Sequence, residues 1–442
     1  MTTRCEDVPG TLRTYDRAGR SLLLYGSGLA RIALTVLAPG IVRIRLAPEQ
    51  PFAPRRSWAV TPPDDAFAAC PFRLRETGQA LIVSTELLEI EVQRQPLRIA
   101  FRDRAGRAFC ADERGIEVGD PGGAAPLFAA PAGAPAASAR VACAKRIEAG
   151  EHFFGFGERT GQLEKRGRQM MNWTTDQGIQ TTATDPLYIA IPFLMSVRPG
   201  LAYGVFFNTT WRSRFSIDDE RPGVWLMEAA AGELDYYVLY GPQPADVSAG
   251  LGRLLGTMPL PPLWALGHHQ SRWGYHSESA VRTVAETFRQ HDIPCDVLHL
   301  DIDYMDGYRD FTWHAQRFPN PQQLLGDLRK QGFRVVNIID AGVKVDPAYA
   351  TYQQGLQRDM FVRRADGRLC TGYVWPGEAA FPDFARADVR AWWGAQHARL
   401  AAQGVSGIWN DMNEPTVFER TMEEGVGAIG TLALDVMPGC RR

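Results

Sequence analysis

Apolar and other residues alternate twice between Ala30 and Pro48, in ARIALTVLAPGIVRIRLAP, with Pro39-Gly40 between the two runs. A period of two puts one set of side chains on each face of a strand, and Pro-Gly supplies the turn, so the segment predicts a β-hairpin. The runs FRLRE, ALIVSTELLEIEVQ and LRIAFRD follow, separated by Thr77-Gly78-Gln79, by Gln95-Pro96 and, after the last, by Asp103-Arg104-Ala105-Gly106. YGVFFNTTW, RSRFSID and ELDYYVLYG continue the pattern as far as Gly241. Short strands at this spacing predict a β-sandwich. The stretch from Gly119 to Arg140, rich in Ala, Pro and Gly, reads as a surface insertion.

Beyond Gly241-Pro242 the period changes. ADVSAGLGRLLG reads as a helix leading to Pro259-Leu260-Pro261-Pro262, and WALG as a short strand. Val281, Val284, Ala285 and Phe288 then fall at i, i+3, i+4 and i+7, one face of a helix. The strand VLHL runs into Asp301. A helix from Pro321 to Gln331 follows, with Leu324, Leu325 and Leu328 inward, and RVVNII runs into Asp340. RADVRAWWGAQHARLAAQ is a further helix, stopped by Gly404 and carrying Trp392-Trp393 as core residues; VSGIW then leads to Asp411. Alternating strands and helices predict a parallel barrel, so the sequence divides into a sandwich over 1–245 and a barrel region over 246–442.

Asp301, Asp340 and Asp411 each stand at the C-terminal end of a candidate buried strand. In a (β/α)₈ barrel those ends converge on one face, which carries the active site. Three converging carboxyls are costly unless they bind hydroxyls or do chemistry.

Composition narrows the class. The 442 residues carry a formal net charge of −2, without the basic excess of a nucleic-acid or anionic-membrane surface. The start, MTTRCEDVPG, lacks the pattern of a signal peptide, and no run approaches the roughly 18 apolar residues of a membrane span. The 7 cysteines are scattered without C-x-x-C spacing, which reads as free thiols in a reducing cytoplasm. His268-His269 would point to opposite faces of a strand, so a metal shared between them is not expected; no metal or cofactor is implied.

The segment GIWNDMNEP, Gly407 to Pro415, resembles the active-site signature of glycoside hydrolase family 31, the α-glucosidases and their relatives. FGFGERTG, NWTTDQG, DPLYIAIPF, PLPPLWALGHHQSRWGY, DVLHLDIDYMDGYRDFTW and VWPGEAAFPDF are similar to further landmarks of that family. The resemblance implies a mutarotase-like β-sandwich followed by a (β/α)₈ TIM barrel. It makes Asp411 the nucleophile and Trp409 and Met412 part of the glucose pocket. It places Asp301 on a sugar hydroxyl with Ile302 beside it, Trp375 in the pocket wall and Asp176 on a loop reaching the sugar. Asp340 is left between pocket lining and support. Glu414 is read as holding the loop, not as acid/base, since it is three positions from Asp411, and Asp303, Asp306 and Asp310 are read as structural or supporting.

Retaining glycosidases use two carboxyls about 5–5.5 Å apart, one attacking the anomeric carbon and one protonating the leaving oxygen. The resemblance places the acid/base aspartate well beyond the nucleophile, so the expectation is the first half of a barrel, inactive alone and lacking that acid. The expected activity is release of terminal α-linked glucose from α-glucosides or oligosaccharides. The alternatives are an α-xylosidase, transglucosylase or lyase of the same family, a non-catalytic carbohydrate-binding remnant, or a pseudogene product without function.

Overall fold

A computed structural model describes residues 6–7, 10–27, 31–47, 52, 57–119, 140–176, 179–364, 366–413 and 416–417. These pack as two compact units, one from Met1–Thr174 and Ile179–Met258, the other from Thr175–Gly178 and Pro259–Arg442. The helix Pro244–Leu255 lies in the first unit, and the short segment around Asp176 in the second.

The first unit is antiparallel. Its largest sheet has eight strands, ordered His152–Gly155, Phe193–Arg198, Leu201–Phe207, Leu234–Gly241, Ile41–Ala47, Arg31–Ala38, Ser21–Tyr25 and Thr14–Ala18. The predicted hairpin is its Arg31–Ala38/Ile41–Ala47 pair, which turns at Pro39-Gly40 with a register shift between Val36 and Ala38. A six-stranded and a five-stranded sheet complete the unit, and the runs FRLRE to LRIAFRD form four strands of the five-stranded one, with Ala108–Phe109 the fifth. Alternation decides the faces: Val42, Ile44 and Leu46 join Val83, Ile90, Val92, Phe101 and Trp225 in one buried cluster. Within that interior Lys145 donates to Asp112 at 2.5 Å and to the Tyr236 hydroxyl at 2.9 Å, so the buried charge is paired and hydrogen-bonded. Most of the Gly119 to Arg140 insertion lies outside the described residues.

The second unit holds four parallel strands, His269–Gln270, Val297–Leu300, Arg334–Asp340 and Gly407–Asp411, adjacent in chain order. Helices Glu278–Gln290, Pro321–Lys330, Ala350–Gln357 and Ala387–Gln403 lie between them in the chain. Ser277 caps the first, accepting a bond from the Ala280 amide, and Gly404 ends the last with φ 108°. Val281, Ala285, Leu324, Leu325, Leu328, Trp392 and Trp393 all pack in one apolar cluster with the strands. One expectation fails: WALG is not a strand. Leu263–Leu266 forms a 3₁₀ turn, started by Pro262 at φ −64°, and the first parallel strand comes later, at His269–Gln270.

Cys70, Cys110, Cys143 and Cys295 are free thiols as expected. Cys370 is disulfide-bonded, against that expectation.

Candidate active site

Strand ends place the carboxyls. Asp340 and Asp411 close neighbouring strands and stand opposite each other in register. Asp301 follows the last residue of Val297–Leu300 and starts the 3₁₀ turn Ile302–Tyr304, its carboxylate accepting the Ile302 amide at 2.7 Å. Partial burial raises the pKa of Asp301. The Ile302 amide opposes that rise, while the negative charges of Asp411 and Asp303 add to it. Asp411 is also raised, first by burial and then by the charge of Asp176, against the Met412 amide bond. The structure thus places Asp411 within electrostatic reach of both Asp176 and Asp301.

The chain turns sharply after Asp411. Met412 has φ 56°, a left-handed conformation that costs a non-glycine residue roughly 1–2 kcal/mol. The turn ends the strand at Asp411 and lets the Met412 side chain pack against Cys370, Val374, Ala379, Phe381 and Val417.

Aromatic rings flank these groups. Trp409, two residues before Asp411, pairs in register with Ile338 and meets the His299 ring edge-on, centroids 6.0 Å apart. Trp375 sits in the turn between the strands Thr371–Val374 and Gly377–Ala380, and its ring lies 5.6 Å from that of Trp273. Ile302 is 3 % exposed and belongs to the apolar cluster beneath the strand ends. Glu414 lies outside the described residues.

Three arrangements show partners that the sequence does not reveal, two of them for Asp303 and Asp310, which it reads only as structural or supporting. Asp303, buried, is a hub: it accepts from the Trp273 indole N–H at 2.9 Å, from His276 Nδ1 at 3.1 Å and from the Tyr308 hydroxyl at 3.3 Å. Arg317 stands 3.9 Å away as an ion-pair partner. His269 and His299 join across the first two strands, Nδ1 to Nε2, at 3.0 Å, and His269 Nε2 reaches the Ala265 carbonyl at 3.2 Å. Burial and the neighbouring His269 lower the pKa of His299, so the neutral form of His299 is favoured. Its partner in sequence, His268, packs on Phe288 instead, so the two adjacent histidines do face apart. Third, Asp310 is buried against Asp340. Burial and then the Asp340 charge push its carboxyl well up, opposed by the Asp340 amide. Asp340 therefore stands in register with Asp411 on one side and against the raised carboxyl of Asp310 on the other. Among the described residues no group of three potential ligands could hold a metal ion.

Four parallel strands with carboxyls and indoles at their C-terminal ends, preceded in the chain by an antiparallel sandwich, form the kind of strand-end site that (β/α)-barrel enzymes carry. The sequence profile described as "Glycosyl hydrolases family 31 TIM-barrel domain" matches residues 258–429. That of the "Glycosyl hydrolase 31 N-terminal galactose mutarotase-like domain" matches residues 31–216. The chain belongs to glycoside hydrolase family 31. It is 42% identical over 358 residues to alpha-glucosidase 2 of Bacillus thermoamyloliquefaciens, covering 80% of this chain and 43% of that one. It is 35% identical over 284 residues to an alpha-glucosidase of Saccharolobus solfataricus, covering 64% and 41% respectively. A family 31 dextranase of Flavobacterium johnsoniae, solved with glucose, superposes with a TM-score of 0.82 at 26% identity, over 97% of this chain and 51% of that one. The chain thus spans about half the length, or somewhat less, of these relatives.

Proposed function

We propose that these residues supply the nucleophile half of a retaining α-glucosidase site, with Asp411 as nucleophile. The observation that carries the reading is Asp411 fixed at the end of the partly buried strand Gly407–Asp411, in register with Asp340 and beside the charges of Asp176 and Asp301. In the reaction a carboxylate oxygen of Asp411 bonds to the anomeric carbon as the glycosidic C–O bond breaks. A second carboxyl gives its proton to the leaving oxygen. Water then cleaves the glycosyl ester and returns Asp411, with net retention. Asp301 accepts hydrogen bonds from sugar hydroxyls, and Asp176 does so from its own segment. Trp409 and Trp375 offer flat apolar faces to the C–H side of the ring, with Met412 and Ile302 below. The α-glucosidase names of the two relatives support glucose as the sugar, and terminal α-glucosides or oligosaccharides as substrates.

Asp411 must be ionised to attack, so the rise in its pKa sets the acid side of the pH range in which it works. General acid catalysis contributes about 10²–10⁴-fold, and no described residue is assigned that step. Residues 1–442 alone are therefore expected to turn over an aryl α-glucoside poorly. The test is a fluorinated α-glucosyl inactivator applied to a version extended to the length of the relatives. Its mass should appear on the peptide holding Trp409 to Asn413. Label on another carboxyl, or normal turnover by Asp411→Ala, would remove the assignment.

A further inference from the structure

The first unit contains a cavity of about 480 Å³ on the face of the eight-stranded sheet opposite its buried core. Strand alternation builds it. Val42, Ile44 and Leu46 point into the core, so Arg43 and Arg45 point the other way. Asp235 pairs in register with Arg45 from the neighbouring strand and joins them.

The charged lining is tied together. Arg43 grips Asp235 through two bonds, Nε to Oδ1 at 2.8 Å and Nη2 to Oδ2 at 2.7 Å, and reaches Asp64 at 3.0 Å. Arg45 pairs with Glu233. Asn208 donates from its amide to Asp235 at 2.8 Å and accepts from the Ser57 hydroxyl at 2.7 Å. Among the described residues that line the cavity, two arginines face two carboxylates, Arg43 on Asp235 and Arg45 on Glu233. A phosphorylated or otherwise anionic ligand would need a cationic excess, and a cation the reverse.

Two indoles complete the wall. Trp58 lines the cavity and is 56 % exposed. Trp211 is set on the bare backbone of Gly232, where an added Cβ would come within 2.6 Å of the indole nitrogen. Its amide is bonded to Thr209 Oγ1 at 3.1 Å, which fixes the approach of the chain. The floor, including Phe206, Ile191 and Leu255, is apolar. Cavities of about 300–1,000 Å³ with an apolar lining and a few convergent polar groups are the usual shape of small-ligand sites.

We propose that this cavity is a second, non-catalytic binding site for a neutral carbohydrate, the end of a short α-glucan. Such a ligand has an apolar C–H face to lay on Trp58 or Trp211. Its hydroxyls can bond to Asn208, whose amide has a second N–H. The choice of sugar rests on the glycosidase reading; the site itself does not involve Asp411.

The test is calorimetric titration of the 442-residue chain with maltotriose, beside four variants whose fold is checked by circular dichroism. Trp58→Ala and Asn208→Ala alter the cavity, and the double variant Asp301→Ala/Asp411→Ala alters the strand-end site. Maltotriose should still bind the strand-end double variant. Its affinity should fall roughly tenfold or more in Trp58→Ala, the loss expected for one stacked aromatic anchor. Gly232→Ala, which displaces Trp211 without removing a contact group, should weaken binding in the same direction. If the strand-end variant abolishes all binding, the cavity proposal is overturned and the active-site reading stands. If maltotriose binds neither wild type nor any variant, the cavity holds no glucan and the proposal fails, while inactivator labelling still decides Asp411. Unchanged affinity in Trp58→Ala, Asn208→Ala and Gly232→Ala together would also overturn it.

Discussion

Replacing Asp303 by Ala should loosen two loops at once. The carboxylate accepts from Trp273 and His276, on the segment after the first parallel strand, and from Tyr308, on the segment after the second. A hydrogen bond to a charged group is worth about 1.5–3 kcal/mol net when buried. Here Trp273 is 60 % exposed and the His276 side chain 65 %, so water can replace the carboxylate for these two donors and their share is small. Tyr308 is half-buried, and its bond at 3.3 Å is the longest of the three. Summing one substantial bond and two screened ones gives about 2–3 kcal/mol, or roughly 30- to 150-fold in a local opening equilibrium. The effect should be local, because the backbone bonds from His314 to Tyr304 and from Arg309 to Asp306 hold the same segment. Hydrogen–deuterium exchange read peptide by peptide is the suited assay, since unfolding of two separate units need not be two-state. Peptides covering 271–277 and 302–317 should exchange faster by that factor, while those of the sandwich strands stay unchanged. Asp303→Asn, which keeps one acceptor oxygen but turns an amide N–H₂ toward donors, should fall between. Exchange within about threefold of wild type in Asp303→Ala would refute the reasoning, because it would mean the three bonds are exchanged for water at no cost.

Two further outcomes follow from the carboxyl environments. Asp176→Asn removes a negative charge that raises the Asp411 pKa, so Asp411 should ionise at lower pH; the acid limb of inactivation by a fluorinated glucoside should move down in pH, and a limb that stays or rises would contradict the coupling. Asp310, raised by burial and by Asp340, favours its neutral form in the fold, so its contribution is full below the ordinary carboxylate pKa and is lost as pH rises toward the raised value. Asp310→Asn has no proton to lose, and melting temperatures from pH 4 to pH 8 should show the variant gaining on wild type as pH rises; parallel curves would show that Asp310 is not held neutral.

What the sequence shows, and what it hides, follows from how far apart interacting residues lie in the chain. A strand and its last residue are contiguous, so hydrophobic runs ending in Asp301, Asp340 and Asp411 could be read directly, and the structure sets all three at strand ends. The helix faces of Val281 and Ala285, and of Leu324 and Leu328, were readable for the same reason, as local periodicities. WALG was misread because four apolar residues fit a strand or a helical turn equally, and only the Pro-Pro before them tilts the choice. Lateral pairing leaves no local trace. His269 meets His299 because the first two strands pair with His269 opposite Val297, a register that no spacing in the chain announces. Asp303 draws its donors from residues 30 and 27 positions earlier, so it reads in sequence as one of several acidic loop residues. The cavity of the first unit is the extreme case: Arg43 and Asp235 are 192 positions apart, and each alone reads as an outward charge on an alternating strand. Alternation does say that both leave the core, and the order of the sheet then makes them neighbours. Patterns along the chain therefore locate single groups at strand ends, whereas the partners that tune those groups, and any site built across strands, become visible only once strand order and register are known.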